Sequence, residues 1–421
     1  MPVVLLAAIL SAPFDFADFT WLPGNSRTHD SVLASRYFTG ELRVDAAYNY
    51  SFAHPKDDTL VGSSQVFRHG ELQLTQLGVG GDFFYKGVHA RVMTQFGMLS
   101  QATPASEATT RRGQWQLDNA YRYLSEAYGG YHLDALSGIN FQAGIFLSYV
   151  GLWSYYPTDN WTYQPSFASS NTPWYFNGAR VQIFVNDHLK IEPWLVNGWQ
   201  SYGRAVNAPG GGMQTLWRPN GDLSLVTNVY AGADTLGVRG RKRYHGDWSG
   251  VLKVRDAPDA LVSKGAVSLT LDAGCESGAR VRCGDQYFLA FMVYNRWWFL
   301  HDKFAAVVGG GAMTNPGRYL ALVPPVNGAD GFSGTPYFRV APGEQFVAWD
   351  ATLTFDYLPL DQLAFRAEFN HRHANIPYYA GSGGVTPPGG NQGAPGSVVD
   401  GFTPDLRKNE NRVTLAMLIK I

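Results

Sequence analysis

The chain has 421 residues, 47 of them glycine, with 14% aromatic and 16% charged residues and a formal net charge of -1. Charged residues fall well below the roughly 25% usual for soluble domains, and without a basic surplus a nucleic-acid partner is excluded. A membrane-crossing helix needs about 20 consecutive apolar residues and a tilted barrel strand only about 9–11; the richest apolar run past the N-terminus, Tyr287–Tyr294, stops at Asn295 and Arg296 and is of strand length.

Val3–Leu10 is a short apolar run ending in Ser11-Ala12-Pro13, the pattern of a secretory signal core, although no Lys or Arg precedes Arg27. Residues 1–12 are read as a truncated signal peptide, 13–39 as a periplasmic N-terminal segment and 40–421 as a single barrel. In the first strand Leu42, Val44, Ala46, Tyr48, Tyr50 and Phe52 alternate with Glu41, Arg43, Asp45, Asn49 and Ser51. Period-two alternation puts the two sets on opposite faces. Asp57-Asp58 in the following gap reads as a solvated turn, since a calcium site needs six or more oxygens. Glu71–Tyr85 is a weaker strand, broken by Gly78, Gly80 and Gly81. Val88–Met98 sets His89, Arg91 and Gln95 against Val88, Ala90, Val92 and Phe96.

Further runs bounded by Gly, Pro, Asn and Asp clusters are Tyr121–Leu133, Asn140–Tyr149, Trp174–Val185, Leu189–Trp199, Met213–Arg218, Leu223–Gly232 and Asp247–Arg255. They continue with Gly265–Ala273, Gln286–Leu300, Phe304–Met313 and Glu344–Tyr357. In Leu363–His371, Leu363, Phe365, Ala367 and Phe369 oppose Arg366, Glu368 and Asn370. In Asn411–Ile421, Val413, Leu415, Met417, Ile419 and Ile421 oppose Arg412, Thr414, Ala416 and Lys420. Helical periodicity is not evident. Cys275 and Cys283, which flank Glu276–Arg282, are the only cysteines; in an oxidising compartment they are expected to close a disulfide loop.

Connections sort by parity. Those after even-numbered strands are mostly tight, as at Tyr85-Lys86-Gly87, Asn186-Asp187-His188 and His301–Lys303. Those after odd-numbered strands are long: Ala53–Gly70, Leu99–Ala120, Val150–Pro173, Thr314–Gly343 and His373–Asn409. Outer-membrane barrels put short turns in the periplasm and long loops outside, with an even strand count. The expected fold is therefore all-β: a transmembrane antiparallel up-and-down β-barrel of about sixteen strands, within 14–18. In hydrocarbon every backbone polar group must be paired internally, and a closed barrel achieves this. Tyr48, Tyr50, Tyr149, Trp297, Phe299 and Tyr357, near strand ends, are expected to form aromatic girdles at the membrane boundary.

Several stretches are also distinctive in wording. They are Phe16-Ala17-Asp18-Phe19-Thr20-Trp21-Leu22 with Gly24-Asn25 and Arg27, His54-Pro55-Lys56-Asp57-Asp58-Thr59, and Arg122-Tyr123-Leu124-Ser125-Glu126-Ala127-Tyr128-Gly129-Gly130-Tyr131-His132. Asp159-Asn160-Trp161-Thr162-Tyr163-Gln164-Pro165-Ser166 and Pro193-Trp194-Leu195-Val196-Asn197-Gly198-Trp199-Gln200-Ser201-Tyr202 belong with them. Together they resemble the β-barrel porin-2 family, the OmpL-like porins of Gram-negative outer membranes. The resemblance is strong through Trp21–Tyr202 and thinner beyond. It implies an outer-membrane barrel and passive transport, and supplies no catalytic residues. One departure is the last residue, Ile421, where many such barrels end on an aromatic.

In a pore the lumen face sets charge and width. By register it includes Arg43, Asp45, His89, Arg91, Arg180, Gln182, Lys190, Glu192, Asp350, Asp356, Arg366, Glu368, Arg372 and Arg412, with neither sign dominant. The third external loop, Val150–Pro173, gathers Trp153, Tyr155, Tyr156, Trp161, Tyr163 and Phe167, too large an apolar patch to leave in water. These rings are expected either to narrow the lumen, where they would suit stacking on sugars, or to brace the barrel. His371 and His373 share an outward face near the external rim with no third ligand, so a metal site is not expected. No Walker loop, HExxH or GxSxG appears, and neither catalysis nor a cofactor is expected. The function read is a water-filled channel for passive diffusion of small hydrophilic solutes. An adhesin or receptor acting through the long loops is the alternative, and a barrel-scaffold hydrolase a weaker one. Outer-membrane lipid and small solutes are the partners, with a trimer suggested only by analogy.

Overall fold

A computed structural model describes residues 13–29, 31–107, 109, 112–206, 208–317, 319, 322–334 and 345–421. The expected signal peptide, residues 1–12, and positions 335–344 of the seventh long loop lie outside the described residues. Sixteen antiparallel strands close into one barrel. They are Phe38–Ser51 (β1), Leu72–Tyr85 (β2), Val88–Thr94 (β3), Leu124–Leu133 (β4), Ile139–Leu147 (β5), Tyr175–Asn186 (β6), Leu189–Val196 (β7) and Gly210–Asn220 (β8). The second half comprises Leu223–Ala233 (β9), Lys242–Asp256 (β10), Val262–Ser277 (β11), Tyr287–Phe299 (β12), Phe304–Thr314 (β13), Val347–Leu360 (β14), Leu363–Ala374 (β15) and Asn409–Lys420 (β18). A two-residue ribbon, Tyr379–Ala380 (β16) with Leu406–Arg407 (β17), ties the two arms of the last long loop together.

Closure is made by β1 against β18, from Arg43 opposite Lys420 to Ser51 opposite Arg412. Beyond that register Leu42 N–H donates to Ile421 O at 2.8 Å and Ile421 N–H to Leu42 O at 2.9 Å. No sheet edge is left for lipid to solvate. The alternation predicted the facing: Leu289, Phe291, Val293, Phe365, Phe369, Leu415 and Met417 are exposed on the outside, while Phe288, Met292, Arg366, Glu368 and Arg412 are buried within. Phe83, Phe84, Tyr85 and Tyr131 ring the short-turn end, and Phe52, Tyr123 and Trp349 the other.

Four expectations need correction. Tyr149 is not in a girdle: β5 stops at Leu147, so strand parity no longer governs it, and the ring turns into the lumen against Trp194 at 4.8 Å. β8 starts three residues earlier than predicted because Gly210–Gly212 pair with Val196–Trp194 instead of breaking the strand. Glycine is required at 212, where a Cβ would lie 1.8 Å from the Tyr149 hydroxyl. Two short helices, Leu99–Ala102 (α1) and Leu117–Tyr121 (α2), occupy the second long loop, where none was foreseen, and β4 consequently starts at Leu124. Asp57 is not merely solvated; its carboxylate accepts from Val385 N–H at 2.9 Å and Thr386 N–H at 2.8 Å, joining the first long loop to the last.

Cys275 and Cys283 are joined by a disulfide, Cα atoms 4.9 Å apart. His371 and His373 face outward beside Trp349, each ring nitrogen 2.7 Å from an asparagine oxygen, of Asn411 and Asn409 respectively.

Candidate pore and its third loop

The segment between β5 and β6 does not stay outside. It descends inside the barrel, turns near Asp159, and climbs along the opposite wall. Backbone inside a barrel needs partners, and the inward charges of β12, β14, β15 and β18 supply them. Arg366 donates to the carbonyls of Pro157 at 3.2 Å and Asn160 at 2.8 Å. Arg296 reaches Trp161 O at 3.0 Å. Glu368 accepts from the backbone N–H of Tyr163 at 2.6 Å and of Gln164 at 3.1 Å. Asp350 accepts from Ser166 Oγ at 2.5 Å and Phe167 N–H at 3.1 Å. Arg372 donates to Pro165 O at 3.1 Å, and Arg412 to the Gln164 side chain at 2.9 Å. Each charge is thus hydrogen-bonded, which lowers the cost of burying it; Arg366 and Arg296 are also ion-paired, sharing Asp356 at 2.7 Å each, and Arg412 pairs with Glu410.

The descending limb is held by the facing wall. Tyr155 OH donates to Gln95 Oε1 at 2.7 Å and Tyr156 OH to Glu126 Oε2 at 2.8 Å. Arg43 lies over the Tyr156 ring at 3.9 Å and pairs with Asp159 at 2.9 Å. Tyr163 OH donates to Asp45 at 2.9 Å, on the same strand as Arg43. The loop therefore crosses the lumen, from Glu126 on β4 to Arg296 on β12, eight strands away around the barrel. Trp153 meets Tyr294 edge-on at 4.7 Å, Trp161 meets Trp298 at 6.0 Å, and Phe167 packs on Tyr378 at 5.3 Å. All six loop aromatics are buried.

All fourteen residues assigned to the lumen face project inward, in two groups. Asp45, Asp350, Asp356, Arg366, Glu368, Arg372 and Arg412 hold or surround the third loop, and Arg43 and Arg91 stand at its turn. His89, Arg180, Gln182, Lys190 and Glu192 form a separate chain on the other wall. Gln142 joins His89 at 2.8 Å to Arg180 at 2.6 Å; Glu192 accepts from Arg180 at 3.3 Å, Gln182 at 3.0 Å and Lys190 at 2.5 Å. Sequence reasoning missed Glu126, Arg296 and Lys420, although each has inward parity on a predicted strand. It could not find Asp159, which lies at the loop's turn.

Beside that turn is a cavity of about 650 Å³, bordered by Arg43, Asp82, Arg91, Glu126, Tyr156, Asp159, Arg218 and Lys420. Arg91 pairs with Glu126 at 2.9 Å, Asp82 at 2.7 Å and Glu41 at 3.0 Å. Residues 13–29 form a strap across the same end. Phe14 N–H donates to Asp187 O at 3.1 Å, Gly24 N–H to Asp159 O at 2.9 Å, and His29 meets Asp361 at 2.9 Å on the far side. The Arg218 guanidinium sits over the rings of Phe14 at 5.0 Å and Phe19 at 4.2 Å. Trp161 Nε1 donates to Trp21 O at 2.9 Å, so strap and third loop touch.

A sixteen-stranded barrel with a polar interior, short turns at one end and an infolded third loop is porin architecture. The sequence matches the family described as "Putative beta-barrel porin-2, OmpL-like" over residues 37–394. The chain belongs to this family. The porin's fold is shared with OmpT of Vibrio cholerae at 10% identity and TM-score 0.52, over 92% of this chain and 99% of that one. It is shared also with the outer membrane channel DcaP of Acinetobacter baumannii (12% identity, TM-score 0.53, 91% and 97% covered). The anion-selective porin from Comamonas acidovorans gives 10% identity and TM-score 0.55 over 91% and 99%. No curated protein matches. The porin is an outer-membrane channel, with its turns toward the periplasm and its long loops outside.

Proposed function

We propose that this porin passes small hydrophilic solutes through a lumen narrowed by its own third loop, with the strap of residues 13–29 narrowing the periplasmic mouth. The observation that carries the reading is the double anchoring of the loop: Tyr156 on Glu126 at one wall and Trp161 on Arg296 at the opposite one, with Tyr163 and Gln164 held by Asp45 and Glu368 between them. A segment pinned at both sides occupies the cross-section permanently. Narrowing comes from the loop's bulk. Of the six aromatic rings, Tyr156 borders the 650 Å³ cavity while the others are packed inside protein, which gives stacking on sugars little support. Their satisfied hydroxyls favour a second role, bracing the wall from within.

Planar-bilayer recording tests this. Replacing Trp153, Trp161 and Tyr163 together by Ala is expected to raise single-channel conductance, with heat-modifiable migration confirming an intact barrel. Unchanged conductance and solute preference in an intact barrel would reject the narrowing and leave only bracing.

A further inference from the structure

The most concentrated basic run in the chain, Arg239-Gly240-Arg241-Lys242-Arg243, falls where β10 begins at the external rim. Parity splits it. Arg243 turns inward and is neutralised by Glu276 at 2.6 Å. The others border a cleft of about 380 Å³ between the fourth and fifth external loops, floored by Val206, Ala208, Pro209, Ala231 and Tyr244. This cleft is on the outside of the barrel: Ala231 pairs directly with Tyr244, and both are exposed on the lipid-facing side. Immediately below, Met213, Val229 and Trp248 are exposed toward the bilayer.

The cations here are poorly served by the protein. Arg241 reaches Asp234 only at 3.9 Å and Ala279 O at 3.4 Å, and its buried Nε has no hydrogen-bond partner among the described residues. Neither Arg239 nor Lys242 has a carboxylate within 4.0 Å among those residues. Some cations near the barrel ends are matched, as Lys264 is by Asp302 at 2.9 Å and Arg68 by Glu71 at 2.7 Å, and others such as Lys86 and Lys303 have no carboxylate within 4.0 Å among the described residues. Here two unmatched cations, Arg239 and Lys242, flank one apolar cleft. An apolar floor level with the outer leaflet, roofed by under-matched cations, is complementary to one chemistry: phosphate esters above an acyl chain. Planar guanidinium groups suit phosphate in particular.

We propose that this cleft binds a phosphorylated glycolipid of the outer leaflet, its phosphate held by Arg239, Arg241 and Lys242 and an acyl chain lying against Ala231 and Tyr244. The test is native mass spectrometry of the detergent-purified full chain titrated with diphosphorylated lipid A, dephosphorylated lipid A and inorganic phosphate. One diphosphorylated lipid A is expected to bind per barrel, with little binding of the dephosphorylated form. Arg239→Ala with Lys242→Ala is expected to weaken binding by about tenfold or more, the scale of one charge-assisted hydrogen bond. Ala231→Trp, which fills the floor and leaves the charges, is expected to weaken it as well. Equal binding of the two lipids, or undiminished binding by both variants, would overturn the proposal. Displacement of lipid A by inorganic phosphate at equal concentration would replace it with a free-anion site.

Discussion

A carboxylate shut away from water depends on its donors, and Glu368 has three strong ones: the backbone N–H groups of Tyr163 and Gln164 and the Thr354 hydroxyl at 2.9 Å. Glu368→Gln keeps the shape but turns an NH2 group toward one of those donors, and a buried unsatisfied donor costs about 1–3 kcal/mol. The expected result is a lower urea midpoint for the barrel in lipid vesicles, together with faster proteolysis within 157–168; an unchanged midpoint and an uncut loop would mean the clamp contributes nothing. Outside the membrane, Asp57 carries a pH dependence. Burial pushes its carboxyl up, but hydrogen bonds from Thr386, Val385 and Thr59 outweigh burial and hold it below its ordinary value of 3.8. A depressed folded-state value means that the tie between the first and last external loops is at full strength above 3.8 and weakens as pH falls through the lower folded value. Amide protection factors at Val385 and Thr386 should therefore drop at the acid end. In Asp57→Asn they should be low at every pH.

Strands and infolded segments differ in what determines them. A strand's facing is local, so the alternation at Leu363–His371 and Asn411–Ile421 was enough to orient β15 and β18, and the parity of loop lengths was enough to orient the barrel. The third loop's path depends on partners about two hundred residues away, such as Glu368 for Tyr163; its aromatic content showed that it must be buried but not where. The strap was less legible still. Phe14, Phe19 and Trp21 read only as a periplasmic segment, because nothing in a seventeen-residue irregular stretch encodes which mouth residues it will meet. Its contacts make it the easier obstruction to remove. Deleting residues 13–25 takes away the bonds to Asp187 and Asp159 but no barrel ladder bond. We expect larger single-channel conductance with an unaltered unfolding midpoint; conductance equal to the full chain's would show that the strap lies beside the ion path and not across it.

At the scale of the whole barrel the interior is nearly self-neutralised, in keeping with a formal net charge of -1. Arg91 answers Glu41, Asp82 and Glu126, Arg43 answers Asp159, and Lys420 lies 3.9 Å from the same aspartate. Arg218 differs: among the described residues its guanidinium has only aromatic faces and the Ser224 hydroxyl at 3.4 Å, with no carboxylate partner, yet it borders the periplasmic cavity. In a narrow lumen one uncompensated charge sets the local ion concentration far more than many paired ones, because low-dielectric walls focus its field. Reversal potentials across a KCl gradient should accordingly show a mild preference for chloride, and Arg218→Leu should move it toward potassium. Since Arg218 also holds Phe14 and Phe19, that change alone could reflect a displaced strap. Arg218→Lys separates the two effects: it keeps the charge while giving up the planar stacking surface. Chloride preference retained in the lysine variant and lost in the leucine variant assigns selectivity to the charge. Loss in both, with conductance rising toward that of the strap deletion, assigns it to the strap.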